Sequence, residues 1–364
     1  MSKLNWKSII GWGCAALVAV FIVYTNMQEQ KALQNSGKKN VYAVLPLSGH
    51  IAVFGKAVKE AVDLWQETHP NKLFNIIYVD SQSKPDVALT AVNQATINSS
   101  DPIVFAPQTF VGNVLAPVLE KRNGFLFNIT AIPLKGKYKS YQRVSSGFDD
   151  VVTSLLGYTK KFPTLAIIYL NEDFGAGVST LFKQEYEKLG GKVLSTTVFN
   201  LNERDIRLEI YKLLQDNPSA IALFGMPNLL YINIIKEIKA QGYQGQIITD
   251  VTLSNPYLIE ALQDVAEGII SSITLPVNQE TNSLYKETKA RNLPFYYVWA
   301  EVWDTLDLIQ YTLENNLPFN QETYTKMGKW KGVAGDVIFP GNGDSLYPFI
   351  LVQYKDGKFV PVAE

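Results

Sequence analysis

Chemistry in this chain has few of the usual tools. Among 364 residues there are two histidines, His50 and His69, and one cysteine, Cys14. A lone cysteine forms no internal disulfide and no cysteine-based metal site. A Ser–His pair or a histidine-ligated metal would have to use His50 or His69. His69 precedes Pro70 in "ETHPNK" and reads as an exposed turn at a helix end, whereas His50 follows the first strand-like run and reads as a residue on the rim of a cleft. Acid–base options then reduce mainly to carboxylates, and no motif pairs them. The chain contains no Walker loop, no H-E-x-x-H and no G-x-S-x-G. "FGAGVST" (174–180) has helix-start glycines but not the G-x-G-x-x-G spacing of a dinucleotide loop. The inventory points to binding rather than turnover, with no catalytic residue, no metal site and no cofactor expected.

The elements that would position a binding site are legible in the apolar runs. Hydrophobic residues make up 47% of the chain and charged residues 18%, which supports substantial cores and argues against disorder. The length exceeds one ordinary domain of roughly 100–200 residues, so two lobes are expected. A net charge of −1 with scattered lysines offers no footprint for a phosphate backbone, so nucleic acid is not an expected partner. Strand-like runs at 41–47, 74–80, 102–106 and 125–128 alternate with helical periodicity, as in parallel α/β proteins. In "GKAVKEAVDLWQET" one stripe carries Ala57, Val58, Ala61, Val62 and Trp65. A second set of strands follows at 165–170, 192–199, 220–225, 246–250 and 268–275, again with helices between.

The two sets keep the same spacing. From Phe54 to Phe105, at the end of the third strand, is 51 positions, and from Phe174 to Phe224 is 50. Each Phe is followed by Gly and opens a helix, and an Asp or Asn (Asp80, Asn200) lies 26 positions beyond it. Matched intervals of this kind indicate two lobes of one topology. Facing each other, such lobes leave a cleft at the carboxyl ends of their strands, where open α/β sheets bind ligands.

The N-terminus carries a location signal. Ser8 to Gln28 holds no charge, and Ile9–Tyr24 is almost continuously apolar. That length lies between a signal-peptide core and a spanning helix of about 20 residues. No small-x-small cleavage pattern follows directly, and most of the apolar stretch comes after Cys14. An uncleaved membrane anchor is favoured over a cleaved signal or a lipidated cysteine. Residues 29–40 read as a polar stalk, and the short tail before the anchor places the body on the extracytoplasmic side.

Five pieces taken together resemble a known family: "VYAVLPLSGHIAVFGKAVKEAVDLW", "YVDSQSKPDVALTAVNQATI", "IIYLNEDFGAGVSTLFKQEYEKLGGKVLSTTVFN", "IKEIKAQGYQGQIITD" and "AGDVIFPGNGDSLYPFILVQYKDGKFVPV". They are similar to the type I periplasmic binding proteins, in the leucine/isoleucine/valine-binding branch that serves ABC importers, and they span nearly all of 41–362. The resemblance implies two Rossmann-like lobes joined by three crossovers, placed near 142–147, 275–278 and 339–345. Lobe 1 is then 41–142 plus 276–340 and lobe 2 is 143–275 plus 341–364, with a hairpin at "KDGK" returning to lobe 2. It also implies a pocket built by five loops. The loop at 48–54 ends in Phe54, and the loop after the third strand supplies Gln108 and Thr109, where the family usually has Ser-Ser for a ligand carboxylate. "NITA" supplies Asn128, Thr130 and Ala131. From lobe 2 come Phe174, then Met226 to Asn228, and Asp250 near the family's acidic amine partner. Phe54 and Phe174 stand where the family often has Tyr. Each lost hydroxyl removes a donor that a buried carboxylate would feel at roughly 1–3 kcal/mol.

The resemblance implies the extracytoplasmic solute-binding protein of an ABC importer, closing on a small polar ligand such as an amino acid or amide and docking on permease subunits. The alternative is a sensor or regulator of the same fold that acts on a protein partner, for example in cell-wall synthesis. An enzyme is disfavoured by the missing catalytic constellation. If the anchor is retained, intact-mass measurement of the membrane-extracted protein will show the full N-terminus. A mature start near residues 26–40, or a diacylglyceryl mass on Cys14, would overturn it.

Overall fold

The computed structural model describes residues 37–130, 134, 136–273, 282–293 and 296–362. The anchor segment, Ala131 and the expected crossover at 275–278 lie outside them. No helix among the described residues is long and apolar enough to cross a membrane.

The first sheet is built from β1 (Lys39–Leu45), β2 (Phe74–Asp80), β3 (Ile103–Ala106), β4 (Phe125–Asn128) and β5 (Tyr141–Arg143), all parallel, in the order β2-β1-β3-β4-β5. A parallel sheet is covered on both faces, so its strands read as unbroken apolar runs. Successive residues of β1 point to opposite faces. Val41, Ala43 and Leu45 join a core with α1 (Ala52–Thr68), α9 (Ser283–Ala290) and α10 (Tyr297–Glu314), while Tyr42 and Val44 join another with α2 (Pro85–Ala95) and α3 (Thr109–Lys121).

The second sheet repeats the pattern with β6 (Thr164–Leu170), β7 (Lys192–Phe199), β8 (Ala220–Phe224), β9 (Gln246–Thr249) and β10 (Ile270–Ile273). Its order is β14-β13-β10-β9-β8-β6-β7, where the antiparallel hairpin β13 (Ile350–Lys355) and β14 (Lys358–Pro361) extends the edge beside β10. Ala166, Ile168 and Leu170 pack with α6 (Arg207–Gln215), α7 (Leu229–Ala240) and α8 (Pro256–Leu262). Leu165 and Ile167 pack with α4 (Phe148–Thr159) and α5 (Asp173–Lys188). In both sheets the strand order reverses beside the first-formed strand, at β1/β3 and at β6/β8. The loops leaving those strands therefore meet a crevice.

The repeated Phe-Gly has a steric origin. A Cβ on Gly55 would lie 2.0 Å from the Pro46 carbonyl oxygen, and one on Gly175 would lie 2.6 Å from that of Leu170. Each helix turns back so tightly onto the end of its strand that only glycine fits, and the preceding Phe is buried against the crevice.

Two expectations are corrected here. Residues 141–143 form a fifth parallel strand, so the chain leaves the first sheet only after Arg143. His69 is not a free surface residue: its ring stacks on Trp65 at 4.4 Å, and Nδ1 lies 2.8 Å from the Trp65 carbonyl oxygen.

Helix α10 closes the first core although it follows the five parallel strands of the second sheet in sequence. Trp299 Nε1 donates to the Ala57 carbonyl at 2.7 Å and Trp303 Nε1 to that of Ala61 at 3.2 Å, while Trp65 Nε1 donates back to Asp307 at 2.7 Å. One turn away, Asp304 accepts from the Val333 and Ala334 amides of the turn joining β11 (Lys329–Gly332) and β12 (Gly335–Ile338). Trp303→Ala should cost about 3–5 kcal/mol by leaving a cavity between α1 and α10. Urea unfolding followed by tryptophan fluorescence will show this as an early loss of the first lobe.

Candidate functional site

The loops at the strand ends enclose a cleft between the two sheets. From the first lobe it is lined by Phe54, Gln108, Thr109, Phe110 and Thr130, and from the second by Glu172, Asp173, Phe174, Met226 and Val251. Ser145, Ser146, Val298 and Glu301 close its hinge end. The enclosed space is small, about 50 Å³, so a larger occupant would hold the lobes further apart. Across the mouth, the Tyr257 hydroxyl of α8 donates to Glu60 of α1, and Lys56 Nζ stands 4.6 Å from the centre of the Tyr257 ring.

The two walls differ at their helix ends. On the first wall, α3 begins after Gln108 with no side chain capping it. Its exposed amides and dipole favour an anion. The Thr109 and Thr130 hydroxyls beside it bond to each other. Gln108 is 2% exposed; its Oε1 accepts from Ser81 at 2.8 Å, and its Nε2 has no partner among the described residues. On the second wall, α5 is capped by its own Glu172, whose carboxylate accepts from the amides of Phe174 (2.8 Å), Gly175 (2.7 Å) and Met226 (3.1 Å). Burial pushes this carboxyl up to about 7, against the pull of those three amides.

Of the residues expected to form the pocket, Phe54, Gln108, Thr109, Thr130, Phe174 and Met226 line the cleft. Ala131 lies outside the described residues. Asp250 and Asn128 do not line it, and both are corrected. Asp250 is fully buried behind the wall, where its carboxylate accepts from the amides of Gly225 (2.9 Å) and Thr252 (2.7 Å) and caps the short helical turn 251–254. Burial pushes it up to about 7 as well. Asn128 Nδ2 donates to the Ala106 carbonyl at 2.6 Å, and its side chain fills the space a Cβ on Gly112 would need. It shapes the loop after β3 and does not face the cleft. Asn228 likewise caps α7. His50 is exposed and does not line the cleft.

Three acids of the cleft escape a reading of sequence: Glu172, its neighbour Asp173, and Glu301. Glu172 stands two positions before Phe174, and an acidic residue directly ahead of a helix was an available signal. Glu301 sits in the second turn of α10, where nothing local marks it. It is 1% exposed, and one oxygen accepts from Ser145 Oγ (3.0 Å), Ser146 N (3.1 Å) and Ser146 Oγ (3.2 Å). Burial pushes it up to about 7.

A family model described as periplasmic binding protein matches residues 41–344. The chain belongs to that family. Within it, the relatives point to the type I leucine/isoleucine/valine-binding group. Leu/Ile/Val-binding protein homolog 2 of Brucella abortus is 22% identical over 341 residues, covering 86% of this chain and 89% of that protein. The crystal structure of a leucine binding protein, LivK, from Thermotoga maritima superposes with a TM-score of 0.78 at 18% identity, covering 89% of this chain and 98% of its own. A solute-binding protein of an R. palustris ABC transporter, in complex with benzoate, gives 0.78 at 14% identity over 90% and 96%. Periplasmic binding proteins are non-enzymatic ligand binders that work outside the cytoplasm.

The raised carboxyls give the family member a testable pH dependence. Between the unfolded value near 4.5 and about 7, the folded state holds more protons than the unfolded one, so stability falls as pH rises through that window. Glu172→Gln removes one such proton, and the fall in melting temperature between pH 5 and pH 8 will be shallower than in the parent protein.

Proposed function

We propose that the protein is the solute-binding component of an ABC importer, held at the membrane by its N-terminal segment, and that its solute is a compact molecule carrying both a carboxylate (or amide) and an ammonium group. The observation that carries this reading is the asymmetry of the two helix ends. The uncapped start of α3 with Thr109 and Thr130 offers a place for an anion, and Glu172 on the opposite wall offers one for a cation. A zwitterion laid across the cleft satisfies both and is gripped by both lobes. Phe54 and Phe174 cover its apolar part. Relatives described as leucine- or benzoate-binding share the fold, and both of those named ligands carry a carboxylate. No catalytic role is assigned to any residue of the cleft.

A ligand that binds only the folded protein stabilises it by about 2.7 kcal/mol at 100 times its dissociation constant. A thermal-shift screen of amino acids and their amides will therefore show rises of several degrees for the true class. Phe174→Ala should weaken every binder by about 2 kcal/mol, as expected for an aromatic anchor. Glu172→Gln should weaken amino acids much more than the matching deaminated acids. If no amino acid or amide shifts the melting curve at millimolar concentration, the reading fails.

A further inference from the structure

Glu301 has more acceptor capacity than the protein uses. All three of its hydrogen bonds, from Ser145 and Ser146, go to Oε1. Oε2 has no hydrogen-bond partner among the described residues, although the side chain is 1% exposed and lines the cleft. The nearby Arg143 guanidinium favours the ionised form of Glu301 through its charge but makes no hydrogen bond to it: Nε donates to Asp344 at 2.6 Å, and the other nitrogens donate to the carbonyls of Ser145 and Ser345. A nearly buried carboxylate with one open oxygen is relieved either by a proton, which its raised pKa reflects, or by a cation or donor brought into the cleft.

The rest of the lining agrees in sign. The described cleft residues include three acids, Glu172, Asp173 and Glu301, and no Lys, Arg or His. Three phenylalanine rings, Phe54, Phe110 and Phe174, face the same space, and aromatic faces attract cations. Gln108 adds an unpartnered buried donor, so polar groups of the lining await something the protein does not supply. One carboxylate, Glu172, suffices for the ammonium of an ordinary zwitterion. Glu301 enters from a different element, at the hinge end rather than on the second-lobe wall.

We propose that Glu301 is a second cation-binding point, so that the solute carries a further ammonium or guanidinium group and is a basic amino acid or a close relative. This rests on the importer reading above and narrows its ligand class. Ser145 and Ser146 act as positioning residues, holding Oε1 so that Oε2 stays turned to the cleft.

The test is isothermal titration of the full-length chain at pH 7.5 with two pairs of probes, L-ornithine against L-norvaline and L-lysine against L-norleucine. Within each pair the chain lengths match closely and the main difference is the terminal ammonium. The basic member should bind at least tenfold tighter in at least one pair. Glu301→Gln should cut that ratio at least tenfold while changing the neutral member's affinity less than threefold. A merely structural hinge role would weaken both members alike and leave the ratio intact, which overturns the proposal. Glu301→Asp keeps the charge and should retain a preference for the basic member even if Glu301→Gln folds poorly; loss of that preference in Glu301→Asp also overturns it. Binding of norvaline or norleucine with equal or weaker binding of the basic partner overturns this inference and leaves the importer reading standing. Failure of every amino acid and amide to bind overturns both.

Discussion

One buried guanidinium ties together two of the stretches of chain that run between the lobes. Arg143 ends the last strand of the first sheet, and its donors reach Asp344 and the carbonyls of Ser145 and Ser345. The two stretches of chain on either side, one leaving the first sheet and the other heading for the last hairpin, are thereby laced together. Ser345 Oγ donates to the Ser145 carbonyl at 2.9 Å, and Gln142 Nε2 to that of Asp344 at 2.8 Å. Fork-shaped, permanently charged and rigid, Arg can hold a carboxylate and two carbonyls at once, which Lys cannot. Ser145 and Ser146 leave this knot pointing at Glu301, so the floor of the cleft is an extension of the tie that joins the lobes.

The walls above that floor follow from the parallel sheet. Every parallel strand delivers its carboxyl end to the same edge, so the loops after β1, β3, β6 and β8 are brought together whatever residues they contain. Difference between the lobes is then written in side chains. The second lobe spends a carboxylate on capping its own helix, while the first leaves its helix start open. Two walls of one topology thus acquire opposite electrostatic character.

Legibility in the sequence tracks how local each signal is. The runs at 74–80, 125–128 and 192–199 coincide with β2, β4 and β7 because a strand buried in a parallel sheet, or paired along its edge, needs little more than a continuous β-prone stretch. The strand at 141–143 escapes because "YQR" is short and polar, and its burial comes from Asp344 and Ser345, two hundred positions away. The same distinction governs the cleft. Phe54, Gln108, Thr109, Thr130, Phe174 and Met226 could be placed from the family resemblance, because each lies in the loop or the helix start that follows a strand. Asp250 also directly follows one, yet two backbone amides turn its carboxylate inward, and no pattern of letters announces that competition. Glu301 is the opposite case: on a helix it reads as one more polar position, and only the return of α10 beneath the hinge brings it to the cleft.

That return also sets the order in which the chain can be completed. Trp65 stacks on His69 and Phe74, but the apolar stripe it forms with Ala57 and Ala61 lacks the cover of Trp299 and Trp303 until more than 230 positions later. The second sheet needs no such late partner for its five parallel strands, all of which lie between residues 164 and 273. During synthesis the first lobe waits for α10, and the second, with its parallel strands already made, waits for the hairpin β13–β14 that pairs with the edge of β10. A nascent chain stopped before residue 299 would carry a second sheet still lacking its edge hairpin and a first half whose apolar stripe is uncovered, the kind of intermediate on which a holding chaperone acts.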